Sequence, residues 1–314
     1  MKIYQSLNFK PQTAGPRVLA MGFFDGVHKG HQQLLRQISH LGREQNLLPA
    51  VLTFSQAPAE VFRRPHYLGL IQTMEERFQS LAEYGAEEIF ALPLTPELAQ
   101  MDPWAFLEKY VLDQLQAQAL VVGEDYSFGR GGQGKVACLQ EFCQVHDLSL
   151  TVVKDYIWQG QVVSSSLIRQ CLQAGQVREA IDLMGRPFCH HDQVVEGRKL
   201  GRRLGFPTLN VKPATGQVSL APGVYLTRVY WQGQGFDAVT NVGRRPTIED
   251  AGPLLSESFL LGEDYPQYGD TIRVDYLDFL RPERKFPSLQ ALQVQVQQDI
   301  QEARQAHAAL RSKI

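Results

Sequence analysis

Apolar residues in the first half of the chain come in short runs separated by amphipathic stretches, an alternation that predicts βαβ units around a parallel sheet. Arg17–Met21 reads as a buried strand, and after a glycine-rich turn Leu34, Leu35, Ile38 and Leu41 fall on one helix face. Leu48–Phe54 is the next strand. Thr73 followed by Glu76 has the spacing of a capping box, opening a helix through about Tyr84 that leads to a strand at Glu88–Leu92. Asp102 before Pro103 predicts an N-cap with proline in the first turn of a helix to about Leu115, then a strand at Ala119–Gly123. A helix near Leu139–Val145 and a strand at Leu148–Val153 complete an open sheet of about five strands.

The pattern changes after Gly185-Arg186-Pro187. From there to about Asp278 apolar and polar residues alternate with period two, broken by glycine and proline, as in Val224–Val229 and Thr271–Tyr276. This predicts an antiparallel barrel or sandwich. Ser288 reads as the N-cap of a closing helix with Leu289, Leu292, Val296, Ile300, Ala303, His307 and Leu310 at three- and four-residue steps, a stripe expected to lie across the barrel.

Length agrees with this change of character. A chain of 314 residues exceeds one ordinary core of about 100–200 residues, so two domains are expected, at 1–183 and 184–314. With 44% hydrophobic and 20% charged residues the composition is that of a globular protein, not a disordered one. No apolar run reaches the roughly 18 residues of a membrane span, and the N-terminal segment lacks the apolar core of a secretory signal, so a cytoplasmic location is expected. Cys138, Cys143, Cys171 and Cys189 have no CxxC spacing and are expected as reduced thiols. A net charge of −2 offers no general attraction to a nucleic-acid backbone. The expected partners are therefore small molecules, with no nucleic acid and no membrane, on a monomer or weak homo-oligomer.

Two segments carry candidate chemistry. Gly22–His31 (GFFDGVHKGH) lies between the first strand and the first helix, where an open α/β sheet binds ligands and a helix N-terminus offers free N–H groups to phosphate. His28 and His31 can donate to phosphate oxygens there, and Gly22, Asp25, Gly26 and Gly30 complete the candidate phosphate turn. Against this stands the plain reading of HxxH as core or surface histidine. No third ligand supports a zinc site, and the GxGxxG dinucleotide fingerprint is absent. The second segment, Ser164-Ser165-Ser166 with Arg169, either caps a helix or clamps phosphates, since guanidinium matches phosphate oxygens bidentately.

These motifs resemble the HxGH and SSTxxR signatures of bacterial bifunctional riboflavin kinase/FAD synthetases. Gly123–Arg130 (GEDYSFGR) is similar to that family's GxDFxFG segment, and Thr53-Phe54 with Pro58 and Val61-Phe62 to its TFxxxPxxVF segment. In the second half, Gly197–Asn210 (GRKLGRRLGFPTLN) resembles the kinase motif GxxxGrxLGfPTaN, Asn241–Thr247 the NxGxxPT loop, and Arg281–Phe286 the LRxExKF ending. The resemblance implies an α/β N-terminal Rossmann-like nucleotidyltransferase domain with a parallel sheet, and a C-terminal antiparallel β-barrel riboflavin kinase domain with a terminal helix. It implies two ATP-dependent transfers, riboflavin to FMN and FMN to FAD, with ATP as co-substrate and Mg²⁺ as cofactor. His28 and His31 are then expected on the transferring phosphate, Ser165, Ser166 and Arg169 on the leaving phosphates, Asp125 orienting the reactants, and Phe54, Phe62 and Phe128 along the flavin. In the kinase half, Gly201, Gly205 and Pro207 are expected at the nucleotide phosphates, Thr208 and Asn210 as oxygen ligands of Mg²⁺, Arg281 at the flavin, and Glu257 as general base on the 5′-hydroxyl.

The chain departs from the family pattern at several places, mildly at Ser166, where threonine is usual, and at Leu209, where alanine is. Phe23 stands where asparagine is usual, Ala57 and Phe259 where histidines are, and Gly262 where an aspartate is. Both activities are expected. The alternatives are a monofunctional member with one module impaired, a flavin-binding regulatory protein, or another nucleotidyltransferase with the same first-domain motifs.

Overall fold

The computed structural model describes residues 1–62, 67–196, 206–211, 216–244, 254–262 and 266–312. Its contacts divide the chain into two compact units, Met1–Ser165 and Ser166–Ile314.

The first unit is built on a parallel sheet of β1 (Lys2–Gln5), β2 (Arg17–Met21), β3 (Leu48–Phe54), β4 (Glu88–Leu92), β5 (Ala117–Gly123) and β6 (Ser149–Val153), in the order β1-β4-β3-β2-β5-β6. The central strands read as continuous apolar runs because both sheet faces are covered. Successive residues alternate between two cores. Leu19, Leu52, Phe90 and Leu120 point to one, and Val18, Val51, Ile89 and Val121 to the other. Helices α1 (Lys29–Gln45) and α2 (Met74–Glu83) cover the second face through Leu34, Leu35, Ile38, Phe78 and Leu81. The first face is covered by α3 (Pro103–Phe106), which runs on as a π-helical segment at Leu107–Gln114, and by α4 (Val136–His146).

Both predicted helix starts form. Thr73 N–H donates to Glu76 Oε2 at 2.8 Å while Glu76 N–H donates to Thr73 Oγ1 at 3.3 Å, a closed capping box. Asp102 Oδ1 accepts from Trp104 N–H at 2.9 Å. An edge strand and a short hairpin are among the elements that escape the hydrophobic pattern. The edge strand β1 is mostly exposed and too polar to read as a strand, and the hairpin β7 (Ile157–Trp158) with β8 (Gln161–Val162) is too short to carry a period.

In the second unit, β9 (Phe188–Val195), β10 (Leu209–Val211), β11 (Gly223–Trp231), β12 (Gln234–Arg244), β13 (Leu254–Leu260) and β14 (Thr271–Pro282) close an antiparallel barrel in the order β10-β13-β12-β11-β14-β9. Its interior carries hydroxyls as well as apolar groups. Thr227, Thr240 and Ser258 are linked at 2.7 and 2.8 Å, and Ser256, Tyr276 and His190 at 3.0 and 3.2 Å. Helices α5 (Ser165–Gln173) and α6 (Val177–Met184) precede the barrel; α6 packs on β14, with Arg178 paired to Asp278 at 2.5 Å. Helix α7 (Leu289–Arg311), capped by Ser288 Oγ accepting from Ala291 N–H, crosses the outer face of β11 and β12. Ala303 is sealed against Val224, Leu226 and Val239, but the ends of the predicted stripe overhang, with Leu289 and Leu310 exposed.

Burial raises the thiols of Cys143 and Cys171 to a pKa of about 11, so both sit as protonated core thiols. Among the described residues no helix is long and apolar enough to cross a membrane.

At the amino edge of the parallel sheet Arg17 and Glu88 form a buried ion pair at 2.8 Å, each about 2% exposed. The guanidinium also donates to Gly15, Leu115 and Thr13 carbonyls, so breaking the pair strands a charge that has no water. Glu88→Ala is expected to destabilise the first unit by about 3 kcal/mol, read as a lower urea midpoint. A loss under about 1 kcal/mol would mark the pair as solvent-screened.

Candidate functional site

The first site begins where β2 ends. Phe24 takes a left-handed conformation (φ 59°) and Gly26 another (φ 78°), so the chain doubles back before entering α1. This kink sends neighbouring rings in different directions. Phe24 turns inward, 1% exposed, with its edge against the His31 ring at 5.1 Å, while Phe23 stays half-buried on a cavity. The turn is held by Asp25, whose carboxylate accepts from Ile71 N–H at 3.1 Å and Gln72 N–H at 3.3 Å. Its carbonyl accepts from Ser165 Oγ at 2.8 Å.

His28 is the N-cap of α1, its Nδ1 accepting from the His31 N–H at 3.4 Å. An accepting Nδ1 needs a free lone pair, which puts the proton of the neutral ring on Nε2. The His28 and His31 rings stack at 3.6 Å between centroids and 20° between planes. Gly30 allows this, since a Cβ there would meet the His28 ring at 3.2 Å. Together they present imidazole N–H groups at a helix N-terminus, an arrangement suited to an anionic oxygen.

The cavity above this turn, about 360 Å³, is lined by Gly22, His28, Gly30, His31, Phe54, Asp125, Ser164 and Ser165, all singled out by the sequence. Several other predicted residues lie elsewhere. Asp25 and Gly26 are buried within the turn, where the Asp25 oxygens accept backbone N–H groups. Phe128 is 6% exposed and packs among Phe106 and Tyr126 in the core, and Phe62 is 49% exposed. Ser166 and Arg169 follow on α5, within the second contact unit. Sequence reasoning missed Tyr126, Lys154 and Asp155, which also line the cavity, and named Phe23, another lining residue, only as a departure from the family pattern. Lys154 and Asp155 directly follow β6, so their place at the carboxyl end of the sheet was the available signal. Burial raises the Asp155 carboxyl pKa, and the charges of Asp125 and Glu124 add to the shift.

The second site is a cavity of about 250 Å³ between the outer face of the barrel and α7. Strand register builds it. Asn210 pairs with Glu257, Glu257 with Asn241, Asn241 with Val224 and Val224 with Arg281, one row across five strands. Residues aligned across a sheet share a face, so the carboxylate of Glu257 stands between two carboxamides. Thr208, Asn241, Glu257 and Arg281 line the cavity, with Phe206, Val239 and Phe259 as apolar wall and Leu292, Val296 and Ile300 of α7 opposite. Phe206 meets Phe259 edge-on at 5.9 Å. Asn210 is 6% exposed, and its Oδ1 has no hydrogen-bond partner among the described residues. A buried carboxamide oxygen left without a donor fits a cation ligand.

Arg281 is gripped by Asp299 of α7, with Nε and Nη2 donating at 2.8 and 2.6 Å. Asp299 also accepts from Gln295 Nε2 at 2.8 Å. The guanidinium therefore ties the last strand to the terminal helix at the cavity edge. Asn241, Asp299 and the α7 residues were not assigned to this site from sequence; only the strand register aligns Asn241 with Glu257. Pro207 is half-buried beside Thr208. Gly201 and Gly205 lie outside the described residues.

Comparison with known proteins agrees with both halves. The family model described as FAD synthetase matches residues 10–167, and that described as riboflavin kinase matches residues 184–307. Proteins named bifunctional riboflavin kinase/FMN adenylyltransferase are similar over nearly the whole chain. That of Escherichia coli (strain K12) is 33% identical over 92% of this chain and 92% of its own length. The Haemophilus influenzae protein is 32% identical over 97% and 98%, and the Listeria monocytogenes protein 30% over 94% and 93%. A crystal structure from Streptococcus pneumoniae, titled as a macrolide-efflux protein, superposes with a TM-score of 0.86 at 30% identity, covering 95% of this chain and 98% of that one. On the two matched models and the end-to-end relatives, the chain belongs to the family of bifunctional riboflavin kinase/FMN adenylyltransferases.

Proposed function

We propose that the chain phosphorylates riboflavin to FMN with ATP and adenylylates FMN to FAD, each reaction in its own cavity. The observation that carries this reading is the row Asn210–Glu257–Asn241, which sets a carboxylate beside an orphaned, buried amide oxygen on one barrel face. That is the donor set of an alcohol-phosphorylating site, with a base for the hydroxyl proton next to hard oxygen ligands.

In the barrel cavity Glu257 takes the proton of the riboflavin 5′-hydroxyl as its oxygen bonds to the γ-phosphorus and the bond to the β-phosphate oxygen breaks, releasing ADP. Thr208 Oγ1 and Asn210 Oδ1 would hold Mg²⁺, which supplies charge neutralisation at the phosphates when bound. Phe206, Phe259 and the apolar face of α7 give the flavin ring a dry surface. Arg281, fixed by Asp299, holds that wall in place.

In the parallel-sheet cavity a phosphate oxygen of FMN bonds to the α-phosphorus of ATP and pyrophosphate leaves. The side chains align and stabilise charge rather than form a covalent intermediate. The Nε2 proton of His28, set by its capping role, and the stacked His31 face the transferring phosphate. Ser164 and Ser165 act on the leaving phosphates, and Asp125 orients the reactants. ATP as co-substrate goes with a cytoplasmic protein.

Glu257→Ala is expected to cut FMN formation roughly 10²–10⁴-fold while sparing FAD formation from supplied FMN. His31→Ala should do the reverse, by about 10²–10³-fold. Product-resolved assays with riboflavin plus ATP and with FMN plus ATP check this, and equal loss of both products in each folded variant would refute the two-cavity assignment. Asn210→Ala should raise the Mg²⁺ concentration needed for half-maximal kinase rate about tenfold; an unchanged Mg²⁺ titration would remove Asn210 from the metal site.

A further inference from the structure

The Phe23 ring has a support that an incidental cavity residue would not need. The guanidinium of Arg77, on α2, lies under it at 4.3 Å from the ring centroid. Arg77 is 1% exposed, and its two terminal nitrogens donate to the backbone of two cavity-lining residues. Nη1 donates to the Phe23 carbonyl at 2.9 Å, and Nη2 to the Phe54 carbonyl at 2.6 Å and to Met74 Sδ at 2.9 Å. Burial lowers its pKa to about 10, still leaving it charged at neutral pH. Thr53 Oγ1 donates to the same Phe23 carbonyl at 3.2 Å. The backbone under the ring is thus fixed from two sides, and one ring face is occupied by a cation.

Phe23 and Phe24 both border the cavity, but Phe24 is 1% exposed and packed in the core, whereas Phe23 remains half-buried beside Phe54 and Pro58. This wall presents apolar surface, because the Phe23 and Phe54 carbonyls that might have met a ligand edge are turned to Arg77. A ring bound here is recognised through its face. Adenine is usually selected through its hydrogen-bonding edge, whereas the isoalloxazine has a large flat surface with an apolar dimethylbenzene end.

Resting on the adenylyl-transfer reading above, we propose that Phe23 is a specificity-determining residue for FMN, its ring a stacking wall for the isoalloxazine, and that Arg77 is the positioning residue that holds it. The bound FMN lies against the free part of the ring, its phosphate directed to the His28–His31 end. Arg77 touches no substrate and acts through Phe23 and the Phe54 carbonyl.

The test is steady-state FAD formation by the full chain, with FMN and ATP varied separately. Phe23→Leu, which keeps apolar bulk but removes the ring, should raise KM for FMN about tenfold, with KM for ATP and kcat moving by less than about twofold. Phe23→Tyr, which restores a ring, should recover most of that loss. Arg77→Met should raise KM for FMN in the same sense, with Arg77→Lys in between because it keeps the cation without the forked donors. Thermal unfolding of each variant separates these effects from loss of fold. A KM rise for ATP in place of FMN would make adenine the stacked ring, and an unchanged FMN KM in Phe23→Leu would leave Phe23 a bystander; either overturns the inference while the adenylyl-transfer reading stands. If the unmodified chain makes no FAD from FMN and ATP, both fall.

Discussion

The first site depends on one buried carboxylate. Asp25 sits at 2% exposure in a turn whose neighbours Phe24 and Gly26 both take positive φ, a conformation that costs free energy at Phe24 and persists only where surrounding contacts over-determine it. Its two oxygens take the Ile71 and Gln72 N–H groups, and its own carbonyl holds the Ser165 hydroxyl. Those bonds join the β2–α1 turn to the segment before α2 and to the start of α5. The capping geometry of His28, its stacking on His31 and the divergence of Phe23 from Phe24 all follow from that turn. Asp25, expected from the sequence at the phosphates, holds the turn that places the other residues.

In the barrel the corresponding constraint is register. A one-residue slip of β13 would turn Glu257 into the interior and bring Ser256 or Ser258 to the cavity, because side chains alternate faces with period two. The hydroxyl chains inside the barrel oppose such a slip. Thr227, Thr240 and Ser258 satisfy one another only in the observed alignment, as do Ser256, Tyr276 and His190. The polar interior thereby positions the polar exterior, and the Arg281–Asp299 fork joins α7 to the same row.

The departures from the family pattern acquire different meanings once placed. Phe23 stands over a buried cation at a cavity wall, and Phe259 lines the barrel cavity with its ring against Phe206. Both exchange a polar side chain for aromatic surface beside a cavity. Ala57, at 1% exposure, is simply buried at the start of the Pro58–Val61 turn. Gly262 lies past the end of β13, outside the barrel cavity lining.

Much of the architecture was legible in the chain itself, since it rests on local rules. Apolar runs marked strands buried on both faces, Thr73 with Glu76 and Asp102 with Pro103 marked helix starts, and the shift to period two marked the barrel. The histidine turn was expected from a contiguous motif, and Glu257 from the family resemblance, which places it between the 241–247 and 281–286 segments. What the sequence could not decide was which residues meet across strands and which side chains are spent on structure. Asn241 joins Glu257 through pairing, and Arg77 reaches Phe23 through the packing of α2. Nor could the sequence show that backbone donors reach Asp25 or that the Phe106 and Tyr126 rings pack on Phe128. Hydrogen bonds and burial between distant segments are properties of the folded chain, and no spacing of residues along it encodes which of them a side chain will satisfy.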